Sequence, residues 1–385
     1  MLAVVLLATG ACGAPRPAAV DPGCEAVQGG TVKLPAQVGA VYALPFDPVT
    51  QPQALATQAA TDCGPPFVLA DAPELISQDG ITAEAPVDGT TVFFYYARTG
   101  STAPMYFLPT VINRGKHPIT VTVRRAGAEV ADTTPATDLK MEVAYLKQTV
   151  DEVVTVAPQH WAYLDPTATN HPAANLQLGV GQFLLATSGP ATLALVATTD
   201  PSTADPLTMA VLPKPAVHHS AGRGLFPHAD RVIDFSANAY PVVFALDRNS
   251  TLLDPYITGT DPTTGASATN VGNYGILYHV HLTLHGTPGT VLGVFLSPSG
   301  PGQSVAEGTI ASALQFPSGQ TVALPASGNP VRFANDAVLL DTVTLDGQGQ
   351  GTADLRLLPP SGLDAQMHLS VLPLSAAQEM FSPLA

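Results

Sequence analysis

Proline and glycine interrupt this chain every few residues, and no other feature limits its fold as much. The 385 residues include 37 prolines and 33 glycines, spread along the length rather than gathered in tracts. Proline removes a backbone donor and its ring clashes with the preceding helical turn, so long helices do not fit between such breaks. That argues against a helical bundle and against a doubly wound α/β enzyme. The chain is not disordered either, because 46% of its residues are hydrophobic. Its 12% charged content is about half the roughly 25% of ordinary soluble domains, so neutral polar groups must cover its surface. The length exceeds the roughly 100–200 residues usual for one domain, which favours two.

From Thr91 onward, β-branched and aromatic runs alternate with turn residues, the pattern of an all-β protein. Val92 to Tyr96 is one run and Met105 to Ile112 the next. After Asn113 to Pro118, Ile119, Val121 and Val123 share one face of a strand while Thr120, Thr122 and Arg124 share the other. Val111 to Val123 reads as a hairpin, and Gln177 to Leu185 pairs with Ala191 to Ala197 around Ser188-Gly189-Pro190. Tyr278 to Leu284, the turn His285-Gly286-Thr287-Pro288-Gly289 and Thr290 to Leu296 echo the first-half hairpin. The one helix expected is Asp138 to Val150, where Leu139, Val143, Leu146 and Val150 fall at helical spacing. Two tandem immunoglobulin-like β-sandwich modules, 71–215 and 220–376, with one short helix, account for these strands and the length. A tail follows at 377–385, and 13–70 reads as a Pro/Ala-rich tether and disulfide-stapled segment.

Residues 1–12 read as a lipoprotein-type export signal. Met1 to Ala8 is apolar and too short to span a bilayer. Thr9-Gly10-Ala11-Cys12 then places two small residues before a cysteine, so Cys12 is the expected lipidation site, with plain signal cleavage or a retained structural segment as the alternatives. Two details depart from the usual pattern: leucine is more common than Thr9 at its position, and no basic residue precedes the run. With Cys12 lipidated, Cys24 and Cys63 are the remaining cysteines and an expected disulfide, the alternative being two buried thiols. The bond would close a loop of about 40 residues, stabilising by on the order of 3–4 kcal/mol. The cysteines show no zinc-site spacing.

Several segments occur in an order that resembles an uncharacterised family of exported, β-rich bacterial envelope proteins, known chiefly from cyanobacteria. They are Glu74 to Ile81, the Asn113-Arg114-Gly115-Lys116-His117-Pro118 turn, Gly179 to Val196, and Gly272-Asn273-Tyr274-Gly275-Ile276-Leu277-Tyr278. The resemblance covers scattered patches over about residues 70–375. It implies an envelope address and a β-rich fold, and it supplies no catalytic residue.

The net charge of −15 argues against a nucleic-acid partner, which would need a basic footprint. Arg124-Arg125, beside Arg114 and Lys116, reads as the solvated end of a hairpin. The chain has no HExxH, GxSxG, phosphate-loop or EF-hand motif, and no enzymatic activity is expected. Gly347 to Gly351 reads as a hairpin turn.

The constellation with chemical potential is histidine: His279, His281 and His285, with His218, His219 and His228 nearer the domain entrance. On a strand His279 and His281 share a face about 6–7 Å apart, a spacing that suits copper or zinc chelation. Because Tyr278, Val280, Leu282 and Leu284 claim the core, the simpler expectation is a solvated outer face. Trp161 and Tyr163 on one strand face are the residues of a carbohydrate platform, or else core. The expected function is therefore that of a non-catalytic, exported, lipid-anchored envelope protein. It would be structural or bind an envelope protein or polysaccharide, with metal or carbohydrate binding as alternatives.

Overall fold

The computed structural model describes residues 38–48, 60–71, 75–131, 134–147, 150–175, 177–213, 222–246, 254–298, 312–326, 336–358 and 367–381. The proposed signal, Cys12, Cys24, His218 and His219 lie outside them.

The protein is all-β with one α-helix among the described residues. In chain order the early strands are β1 (Val41–Ala43), β2 (Thr61–Cys63), β3 (Phe67–Asp71), β4 (Leu75–Ile76), β5 (Gly80–Val87), β6 (Thr90–Thr99), β7 (Tyr106–Asn113) and β8 (Ile119–Ala131). Helix α1 (Thr134–Lys147) follows, then β9 (Glu152–Val156), β10 (His160–Tyr163), β11 (Leu178–Thr187) and β12 (Ala191–Thr198). Next come β13 (Gly222–Phe226), β14 (Asp230–Ala237), β15 (Val242–Leu246), β16 (Thr258–Thr260), β17 (Ser267–Thr269), β18 (Leu277–His285) and β19 (Val291–Pro298). The last are β20 (Ser312–Gln315), β21 (Thr321–Leu324), β22 (Asp336–Thr344), β23 (Gln350–Leu357), β24 (Met367–Pro373) and β25 (Gln378–Phe381).

These strands form four sheets. Sheet I has the order β10-β7-β12-β5, and sheet II the order β17-β16-β13-β3-β6-β11-β8-β9 with β4 against β6. Sheet III has the order β2-β14-β18-β23-β20-β21, and sheet IV the order β15-β24-β19-β22-β1-β25. Sheets I and II bury one core between them, with Phe93, Tyr95, Phe183 and Leu185 facing Phe107, Val111, Leu193 and Leu195. Sheets III and IV bury another, where Val280, Leu282 and Leu355 meet Val294, Leu340 and Leu369. Tyr278, Val280, Leu282 and Leu284 are all at or below 1% exposed, so β18 points its apolar residues inward as its alternation predicts.

The expected hairpin from Val111 to Val123 is a different object. Strand β7 pairs with β10 and β12, whereas β8 pairs with β9 and β11. The turn at 114–118 is thus an arch carrying the chain from sheet I to sheet II. The same holds for β11 to β12 and for β18 to β19, whose strands also lie in facing sheets. Asn113 holds the first arch from inside: its Nδ2 donates to the carbonyls of His117 (2.8 Å) and Val156 (3.0 Å) while its Oδ1 accepts from Gly115 N.

The two sandwiches also exchange strands. β13, with β16 and β17 beyond it, extends sheet II from past residue 220, pairing with β3. Strands β1 and β2, from the stretch expected as a tether, pair with β22 and β14. β25, within the expected tail, pairs with β1.

Helix α1 begins and ends earlier than Asp138 to Val150, and it lies against β8, β11, β20 and β21. It approaches β8 at Gly127, where a Cβ would collide with the backbone of Met141. Its Glu142 accepts from Ala313 N at 3.0 Å, and Gln315 Nε2 donates to the Leu146 carbonyl at 2.8 Å. The helix therefore joins the sandwiches rather than capping one. Among the described residues no helix is long and apolar enough to cross a membrane.

Candidate functional site

Among the described residues the largest fully buried side chain is charged. Arg231 is 1% exposed, in the same inward phase of β14 as Ile233 and Phe235. An unpaired buried cation would cost several kcal/mol, so the surroundings must neutralise it. Its Nε donates to Asp62 Oδ1 at 2.7 Å and its Nη1 to Asp254 Oδ1 at 2.7 Å and to the Pro255 carbonyl. Tyr278 OH also donates to Asp254 Oδ1 at 3.1 Å, and Asn273 Nδ2 donates to Tyr278 OH at 2.7 Å. Asn273 Oδ1 in turn accepts from Ile257 N at 2.9 Å. One continuous polar chain thus runs from β2 through β14 and the loop at Asp254 to the Gly272-to-Tyr278 turn.

That turn, distinctive in the sequence, is where a second-half loop meets sheet II. Gly275 has φ of +73°, and a Cβ there would stand 2.9 Å from Phe94 Cγ and 3.0 Å from Phe67 Cζ. Its carbonyl accepts from the buried Gln182 Nε2 at 2.8 Å. Asn270 braces the turn from both sides, donating to Tyr274 O and accepting from Tyr274 N. Arg223 makes a second buried lock, donating to Asp261 (3.2 Å) and to the carbonyls of Thr82 and Leu212.

Beside Arg231 opens a pocket of about 200 Å³ lined by Asp62, His228, Tyr256, Ile257 and Thr258 among others. His228 Nδ1 donates to the Gly64 carbonyl at 3.2 Å.

The histidines of β18 share one face, as the spacing predicts, but His279 and His281 each turn to a carboxylate. His281 Nδ1 lies 2.5 Å from Asp354 Oδ1 on β23, and His279 Nε2 lies 3.5 Å from Asp230 Oδ2. The hydrogen bond that His281 donates to Asp354, then the charges of Asp354 and Asp234, raise the His281 pKa against the opposing pull of burial and Arg356. Strand pairing sets His285 opposite Gln350. Among the described residues no group of three or more His, Cys, Asp or Glu is arranged to hold a metal ion.

The face is less solvated than the alternation alone implies, since His279 is only 7% exposed. It forms part of the seam between sandwiches, where burial and the charge of Arg125 lower the Arg356 pKa against the opposing effect of Asp230. Arg124 and Arg125 are half-buried rather than a solvated hairpin end, because β8 runs on past them, paired with β11 and packed against α1. Arg114 does reach solvent, paired with Glu84 at 3.3 Å.

Trp161 and Tyr163 are neighbours with ring centroids 4.8 Å apart, tilted by 46°. Both are half-buried against the cluster of Leu108, Ile112 and Val196, with Leu207, Met209 and Val211 beside them. That arrangement does not present a flat, open platform. Cys63 is buried at the end of β2, opposite Asp230.

Sequence reasoning missed Arg231. The available signal was an arginine in the inward phase of Arg-Val-Ile-Asp-Phe, a position that requires buried acidic partners.

No family model matches the chain, and no curated protein matches it. Among solved structures it is similar to the T=1 Penaeus vannamei nodavirus, with 12% identity and a TM-score of 0.15 over 70% of this chain and 82% of that one. It is similar to Lac15 from a marine microbial metagenome, with 9% identity and a TM-score of 0.13 over 78% and 60%. A third is Fet3p, a multicopper oxidase that functions in iron import, with 10% identity and a TM-score of 0.12 over 73% and 51%. Similarity this slight carries no argument about function.

Proposed function

We propose that this is a non-catalytic, exported bacterial envelope protein, lipid-anchored through Cys12, that presents its surface to an envelope protein or polysaccharide. Membership of the uncharacterised envelope family belongs to the same proposal, as does the Cys24–Cys63 disulfide. The observation that carries the reading is how the N-terminal part enters the fold. β2 pairs with β14 and its Asp62 grips the buried Arg231, while β1 pairs with β22 and β25. A tether preceding residue 38 would therefore pull on the body of the second sandwich and not on a loose arm. Cys63 lies next to Asp62, so a bond to Cys24 would reinforce the same point of attachment.

Cell fractionation tests the anchor. The full chain expressed in a bacterial host is expected in the detergent-soluble membrane fraction, and Cys12→Ser is expected to release it into the soluble one. A wild-type chain that stays in the cytoplasm contradicts the proposal.

A further inference from the structure

We infer that the pocket beside Arg231 is a binding site for one neutral sugar ring, an inference that rests on the proposed envelope role and names the chemistry of its polysaccharide partner. Three observations carry it. First, Arg231 has its Nε and Nη1 engaged, while its Nη2 has no acceptor among the described residues. Arg231 borders the pocket, and Nη2 is the guanidinium nitrogen left without a bond to donate. Second, acceptors stand beside it. Asp62 is bonded through Oδ1, its side chain is 36% exposed, and its Oδ2 is open. His228 spends Nδ1 on Gly64, which leaves Nε2 to accept in the neutral ring. Third, Tyr256, Ile257 and Thr258 line the rest of the wall, offering apolar surface and a hydroxyl.

A sugar hydroxyl both donates and accepts, so it can satisfy a guanidinium and a carboxylate at once. An anionic ligand would meet the Asp62 carboxylate, with Asp254 close behind. A cationic one would meet Arg231. The volume of about 200 Å³ is below the roughly 300–1,000 Å³ typical of drug-sized pockets, which suits a single ring and not a chain of them. The site is distinct from Trp161 and Tyr163, which lie on sheet I.

Calorimetric titration of the full chain with neutral hexoses, the matching uronic acids and amino sugars tests this. A neutral hexose is expected to bind saturably and more tightly than either charged counterpart. Thr258→Phe, at an exposed position on the rim, is expected to weaken it at least about tenfold with no change in Tm. If that variant fails to fold, His228→Ala serves the same comparison. No saturable binding, tighter binding of a charged sugar, or equal binding by a folded variant would overturn the inference. Envelope retention of the intact chain alongside any of those results would overturn the pocket assignment alone and leave the envelope role standing.

Discussion

Arg231 illustrates how a single residue can hold distant parts of the chain together. Its carboxylate partners come from β2 and from the loop at Asp254, 169 and 23 residues away. Removing one partner of a buried, hydrogen-bonded pair typically costs about 3–5 kcal/mol because the other charge is stranded. Arg231→Met should destabilise the protein by about that amount in chemical denaturation, whereas Arg114→Met, at an exposed pair, should cost less than about 1 kcal/mol. Two further residues contribute to the pH dependence. The raised His281 pKa means its contribution is fully present below the unfolded value of about 6.5 and is lost as pH rises through the folded one. Asp341 is pushed up to about 6, chiefly by burial. Its folded state therefore favours the protonated acid, and stability falls as pH rises from about 4 to about 6. Both effects favour mild acid. Denaturation midpoints followed against pH should decline from pH 4 to 8, with Asp341→Asn flattening the lower part and His281→Gln the upper part.

The elements show where sequence legibility ends. Strand existence could be read from alternation, and so could the inward face of β18 and the approximate position of α1. Strand pairing could not, because a hairpin and an arch share the same strand-turn-strand pattern. The difference lies in partners that are distant in sequence, such as β12 for β7 and β11 for β8. The candidate site was similarly divided. His279 and His281 were placed on one face by their spacing, but Asp230 and Asp354 reach them only through strand register. The Gly272-to-Tyr278 turn stood out in the sequence, and its role as a knuckle against Phe94 and Phe67 came from long-range packing. Gly275→Ala should cost about 1–3 kcal/mol, from the positive φ and from overpacking against those rings, measured as a fall in the urea midpoint. Asn113→Ala leaves two carbonyls of its arch without that donor and should cost about 1–3 kcal/mol by the same measurement.

At the scale of the molecule, the halves are interlocked. A boundary near residue 220 follows from composition and the linker-like stretch before it, yet β13 lies in sheet II while β1 and β2 complete sheets IV and III. Residues 220–376 expressed alone would lack both N-terminal strands and the Asp62 partner of Arg231. The intact chain should unfold in one cooperative transition by calorimetry, and two well-separated transitions would contradict the interlocked account. Interlocking also gives the proposed function its physical form, a single body carried on an N-terminal tether with its surface available to the envelope. The most direct measurement is retention of the chain from residue 13 onward on detergent-solubilised cell envelope, with and without a metal chelator. Specific retention of an envelope protein or polysaccharide under both conditions is the predicted result. Failure to retain anything, or retention that disappears with chelator, would contradict it.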